Sequence, residues 1–313
     1  MTRKDFLSTT GKALLAGGLL SQFPSYAHAM ANSSPTRFFD FSLAQWSLRN
    51  HHWKGGLKHV EFPAYTQEKF GIQAVEYVSS FFEKGLPAAE LVELKQRVSD
   101  LGMSSVLIMV DIWNDGGKLA SPKKKRRVQA VDNHKAWVEA AQFLGCHSIR
   151  VNAHGAQDAD RQDAKKHFAD GLSRLVEFSD TMGINIVVEN HGGYSSDGAW
   201  LAEVMEMVDH PRCGTLPDFG NFTIDAKTGE KYDPYLGVKE LMPFAKGVSA
   251  KSLAFDASGE ESTLDYLKLM KIVREAGYEG LVGIEWGGKG GAEEADQGIL
   301  ATKHLLEKVR GEL

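Results

Sequence analysis

The stretch Ile184-Asn185-Ile186-Val187-Val188-Glu189-Asn190-His191-Gly192-Gly193 decides how the rest of this 313-residue chain is read. Residues 184–188 are a largely apolar, β-branched run of strand length, closed by an acid, an amide and an imidazole and then two glycines. A strand buried in a parallel sheet reads as such a run, and its carboxyl end is where a barrel or open α/β sheet places its chemistry. Side chains alternate along a strand, so Glu189 and His191 are expected on one face. The competing reading makes Glu189 a cap for the next helix. Two later stretches of similar design favour the functional reading.

Working outward, the same unit of apolar run, loop and amphipathic helix recurs. The runs are 38–43, 74–78, 105–110, 147–152, 184–188, 213–218, 247–252 and 280–285. Between them lie helical spacings such as Leu91, Leu94, Val98 and Leu101, closed at Gly102. Asp197 is placed to cap the helix after the fifth run. A last helix covers about 292–310. Eight runs alternating with helices imply parallel strands with crossover connections, and at this length a (β/α)8 TIM barrel in one α/β domain, 37–313. A doubly wound open sheet competes, but no Gly-x-Gly-x-x-Gly follows the first run.

The segment before the barrel reads as targeting rather than fold. Arg3 and Lys4 precede a short apolar run, 13–20, and Ala27-His28-Ala29 fits a small-x-small cleavage site. Residues 1–29 are therefore expected to be an export signal, twin-arginine-like except for Lys4, with 30–36 a linker. A standard secretory signal or an uncleaved anchor is the alternative. The mature chain is expected to be periplasmic or otherwise exported from a bacterium. No run approaches the ~20 apolar residues of a membrane span. A net charge of −5 offers no basic field for nucleic acid. Cys146 and Cys213 open the fourth and sixth strands, which are not neighbours, so two buried thiols are expected. The basic run 122–128 is expected to be the solvated start of a helix, with Arg126 or Arg127 as the residues able to reach a ligand.

Three acids occupy corresponding places: Glu189 after the fifth run, Asp218 after the sixth, Glu285 at the end of the eighth. In a barrel these positions converge at one mouth. Carboxylates held together out of water repel, so either some stay protonated or a cation neutralises them. A divalent ion, Mn²⁺ or Mg²⁺, or Zn²⁺ with an imidazole such as His191, suits the donors.

The pattern Glu189-Asn190-His191, Asp218-Phe219-Gly220-Asn221 and Gly283-Ile284-Glu285-Trp286 resembles the xylose isomerase-like TIM barrels, which include ketose 3-epimerases, inosose dehydratase, hydroxypyruvate isomerase and endonuclease IV. The resemblance implies a divalent metal held by Glu189, Asp218 and Glu285 and a fourth ligand. It also implies that Glu189 and Glu285 shuttle a proton beside a sugar carbonyl through an enediolate. The family's seventh strand usually reads Val-His-x-Lys-Asp; here it is Val248-Ser249-Ala250-Lys251-Ser252. With Ser249 in the histidine's place, the fourth ligand is expected from His191, His154 or water. Alternatively Lys251 supplies the positive charge.

Lys251 is a candidate catalytic residue, and His154 or Lys251 a candidate acid. Glu76, Arg150, Asn152, His154, Trp46 and Trp286 are candidates to bind substrate, with Trp113 a further ring to stack on a sugar face. The expected activity is a metal-dependent keto-sugar isomerase or epimerase. A lyase on oxidised sugars, by dehydration or 3-keto-glycoside cleavage, is the alternative, and a sugar-binding barrel without catalysis is a third. The expected partner is a small sugar or glycoside, and the resemblance implies assembly into homo-oligomers.

Overall fold

The computed structural model describes residues 38–313; the expected export signal and linker lie outside the described residues. Eight parallel strands, β1 Phe39–Ala44, β2 Ala74–Val78, β3 Ser104–Met109, β4 Ser148–Val151, β5 Asn185–Glu189, β6 Cys213–Leu216, β7 Val248–Ser252 and β8 Gly280–Trp286, form one sheet. Strand follows strand in chain order, and β1 returns to pair with β8. The remaining seam, β6 to β7, closes through single bridges, Thr215 with Ala245 and Asp218 with Ser249. The result is a near-closed TIM barrel of one domain, as the eight runs implied.

Pro217 explains why that seam is thin. It has no N–H to give a ladder, so β6 stops at Leu216. Its carbonyl still accepts from Ser249 N at 2.9 Å, and Phe219 N donates to Ser249 O at 3.0 Å. Those two bonds hold Asp218 beside β7. A two-stranded hairpin, Thr223–Asp225 with Glu230–Lys231, follows β6 and was not foreseen.

Alternation along the strands divides the core in two. Ala44, Val78, Leu107, Met109, Val187, Leu216 and Leu281 form one buried cluster, the barrel's filling. The intervening residues, such as Ile149, Ile186, Val188, Ala250 and Ile284, belong to a larger cluster with the apolar faces of the helices, including Leu91, Phe168, Leu201, Leu269 and Ile299. Each inward residue near a strand's carboxyl end therefore shares parity with a filling residue beneath it: Val187 with Glu189, Leu216 with Asp218, Leu281 with Glu285.

Cys146 is buried, Cys213 half-buried, and both are free thiols. The basic run opens the helix Lys124–Leu144. Within it Arg127 is buried against Asp170 at 2.8 Å and Arg126 pairs with Asp115 at 2.9 Å, so both serve the scaffold. Among the described residues no helix is long and apolar enough to cross a membrane.

Candidate functional site

At the carboxyl end of the barrel, Glu189, Asp218 and Glu285 each present a carboxylate oxygen within 4.8 Å of the others, all three buried. A cavity of about 90 Å³ opens onto this group, lined by Trp46, Val78, Met109, Asp111, Trp113, Arg150, Glu189, His191 and Glu285.

Neighbouring strand ends hold each acid. Asn190 Oδ1 accepts from Asp218 N at 2.8 Å, and its Nδ2 donates to Asp218 O at 2.9 Å, tying the end of β6 to the end of β5 where Pro217 leaves no ladder. Asp218 Oδ1 accepts the N–H groups of Gly220 and Asn221 at 2.8 and 2.9 Å, the local turn that aspartate favours. Asn221 Nδ2 donates to Glu189 Oε1 at 2.8 Å. Glu285 lies in register with Lys251, and their side chains form a buried ion pair. Ser249 Oγ donates to Asp218 Oδ2 at 2.7 Å and lies 3.4 Å from Glu285 Oε2.

The second cation is Arg150. Its Nη1 donates to Asp111 Oδ1 at 2.7 Å, and its Nε stands 2.8 Å from Glu189 Oε2. That second approach is a charge contact without hydrogen-bond alignment, since both atoms are otherwise buried without a partner.

These surroundings set the charges. Burial pushes the carboxyls of Glu189 and Asp218 up to about 7, although Arg150 acts against it at Glu189 and Lys251 at Asp218. Burial acts upward on Glu285 too, but the Lys251 ammonium bonded to it outweighs burial and holds it below the usual range. Burial would lower Lys251, yet Glu285, Asp218 and Glu189 together raise it, so it stays protonated. Burial and then Arg150 and Lys251 keep His191 neutral.

The other expected site residues divide: His191 lines the cavity beside the acids, whereas Glu76, Trp286, Asn152 and His154 do not. His191 is not one of the group that could hold a metal. Strand β5 ends at Glu189, so alternation no longer governs the chain two residues on. There His191 N donates to Ser195 Oγ, and its ring lies 5.6 Å from that of Trp113. Glu76, expected to bind a sugar hydroxyl, faces the barrel axis one layer too deep, because Val78 two residues on lines the cavity. It accepts from Ser42 Oγ at 2.5 Å and leans over Gly283, where a Cβ would fall 2.5 Å from Glu76 Oε1. Trp286 is core: it stacks on Phe255 at 6.1 Å and does not line the cavity.

Asn152 donates to Asp111 Oδ1 at 3.0 Å, and His154 Nδ1 pairs with Ile112 O at 3.1 Å; both line a small side pocket instead. Trp46 and Arg150 do line the cavity, as does Trp113. Asp111 was the residue missed. It follows the apolar run of β3 as Glu189 closes that of β5, and this was the available signal.

The profile of a family described as "xylose isomerase-like TIM barrel" matches residues 66–306. No curated protein matches the sequence. Similar solved structures include D-psicose 3-epimerase from Clostridium cellulolyticum H10 with D-tagatose, at 11% identity and TM-score 0.68, covering 87% of this chain and 99% of that one. The IOLI protein with a zinc atom is similar at 15% identity and TM-score 0.67, covering 88% and 99%. AP endonuclease, family 2, from Brucella melitensis is similar at 16% identity and TM-score 0.61, covering 82% and 96%. At such identities these likenesses establish the shared fold.

Proposed function

Because the chain belongs to the xylose isomerase-like TIM-barrel family, we propose that it is a sugar isomerase or epimerase that moves a proton on the carbon beside a carbonyl. The observation that carries this is that Glu189 and Glu285, from β5 and β8, line one cavity together with Arg150. One carboxylate removes the proton and the other returns it, and return to the opposite face inverts the carbon. Negative charge then develops on the sugar oxygens as an enediolate. Arg150 is a fixed cation that lines the cavity beside that charge and stabilises it in a site largely shielded from water. Trp46 and Trp113 flank the cavity and hold the apolar face of the sugar.

Glu189, Asp218 and Glu285 fit a divalent ion of the hard or borderline class: they are three buried carboxylates, and Glu189 Oε2 has no hydrogen-bond partner. When bound, such an ion supplies a Lewis acid for the sugar's carbonyl oxygen. We take the protein to be exported, on the N-terminal pattern around Arg3, Lys4 and Ala27-His28-Ala29. The substrate is accordingly an unphosphorylated sugar or glycoside.

The test is deuterium uptake from D₂O into a panel of ketopentoses and ketohexoses, followed by NMR. Exchange at the carbon beside the carbonyl is expected, reduced on the order of 10³-fold in both Glu189→Gln and Glu285→Gln. Absence of exchange in every sugar and with every metal would sink the proposal. Loss of a neighbouring substituent instead of proton return would move the assignment to a lyase.

A further inference from the structure

The triad's oxygens are nearly all spoken for. Glu189 Oε1 accepts from Asn221, Asp218 Oδ1 accepts two backbone N–H groups, and Asp218 Oδ2 accepts from Ser249. Glu285 Oε1 holds Lys251, and Glu285 Oε2 faces the Ser249 hydroxyl. Only Glu189 Oε2 lacks a hydrogen bond. The ammonium of Lys251 also stands 3.9 Å from Asp218 Oδ2, so the chain's own cation sits between two of the three acids.

That placement is built into the backbone. The lysine stem runs past two glycines: a Cβ on Gly220 would fall 3.1 Å from Lys251 Cδ, and one on Gly287 3.1 Å from Lys251 Cε. Side chains there would crowd the stem. Tyr266 Oη donates to the carbonyls of Ala250 and Lys251 at 3.2 and 2.9 Å, which fixes the strand beneath. Ser249, next but one on the same face, spends its hydrogen on Asp218 and brings no charge.

We propose that Lys251 is an internal competitor for the metal seat: its ammonium and a divalent ion occupy the same place among Asp218 and Glu285, and the ion enters only by breaking the Lys251–Glu285 pair. This rests on the reading of Glu189, Asp218 and Glu285 as a cation site. The physical reason is like-charge exclusion. An ammonium bonded to a ligand oxygen takes that oxygen's lone pair and repels an incoming dication at short range in a poorly screened interior. Lys251 is thus a positioning residue that holds Asp218 and Glu285 together when no ion is there and sets how tightly an ion is held.

The test reads metal binding without any sugar. The full chain is stripped with a chelator and titrated with Mn²⁺ by calorimetry, beside Lys251→Met. The variant is expected to bind Mn²⁺ at least about tenfold more tightly, which is about 1.4 kcal/mol. Equal or weaker binding overturns the proposal. A second measurement needs no variant: the acetylation rate of Lys251 in the unmodified chain, followed by mass spectrometry, should rise several-fold in saturating Mn²⁺ as the ion displaces the ammonium. An unchanged rate overturns it. The two proposals fail separately. A chain that exchanges no sugar proton leaves the competition standing, whereas an active chain whose Lys251→Met variant gains no affinity loses only the competition.

Discussion

Two halves of the barrel mouth are built to one plan. At the ends of β3, β4 and β5, the order is acid, cation, acid: Asp111, Arg150, Glu189. At the ends of β6, β7 and β8 it is the same: Asp218, Lys251, Glu285. In each the cation comes from the middle strand. The difference lies in the cation and in which acid it serves. Arg150 has a planar fork and commits a hydrogen bond to the outer acid Asp111, leaving Glu189 Oε2 with charge but no bond. Lys251 is a single point of charge and commits to Glu285, standing farther from Asp218. The two glutamates that face the cavity are thus shifted in opposite directions: burial raises Glu189 against Arg150, whereas the bonded Lys251 ammonium helps hold Glu285 low. The lesson is that a hydrogen-bonded cation, together with fewer acidic neighbours, favours the ionised carboxyl.

The comparison is broken most directly by removing the cations. Arg150→Met leaves the buried Glu189 and the half-buried Asp111 without their counter-charge and is expected to cost about 3–5 kcal/mol in urea unfolding. Lys251→Met is expected to cost less than half of that in saturating Mn²⁺, because an ion can refill its place. Equal losses for the two variants in Mn²⁺ would show that the halves are interchangeable and would end the contrast.

Glu76 sharpens it, being a buried carboxyl with no cation of its own. Burial raises it to about 7, against the opposing bond from Ser42, with Glu285 and Glu189 adding to the rise. Its pKa in the folded state therefore lies above the unfolded value. The folded state holds the proton more tightly, so stability from this group is full below about pH 4.5 and is lost as pH rises towards 7 and beyond. Glu76→Gln cannot ionise. Its stability relative to the unmodified chain is expected to grow between pH 5 and pH 8, reaching about 3 kcal/mol. A difference independent of pH would mean that Glu76 is ionised in the fold and shares the cation of one of the halves.

The smallest expected effect is at the hydrogen bond that links the halves through a cavity carboxylate. Asn221, after β6, donates to Glu189 on β5. Asn221→Ala should slow sugar proton exchange by on the order of tenfold, the worth of one hydrogen bond to a charged group, with little change in urea midpoint. Exchange at the unmodified rate would show that Arg150 alone orients Glu189.

The eight runs, their order and the three acids at strand ends were legible because a strand repeats every two residues and a buried parallel strand is apolar throughout. Where that regularity ends, position in the chain no longer tells which way a side chain faces. His191 was placed with Glu189 by alternation, but β5 stops at Glu189. Glu76 had the right parity and the wrong depth, because depth depends on how the strands tilt and stagger when the barrel closes. Trp286 lies on a strand end like the acids, yet Gly298 of the last helix leaves room for its ring and takes it into the core.

The sequence by itself therefore determined the alternating units and the convergence of Glu189, Asp218 and Glu285 at strand ends. Only the tertiary structure decided the pairings: Asp111 with Arg150, Lys251 with Glu285, Ser249 across Asp218 and Glu285. The partners come from strands separated by whole helices in the chain. Their distances are fixed by the register between neighbouring strands and by the closure of the sheet, which bring together charges that no local spacing relates.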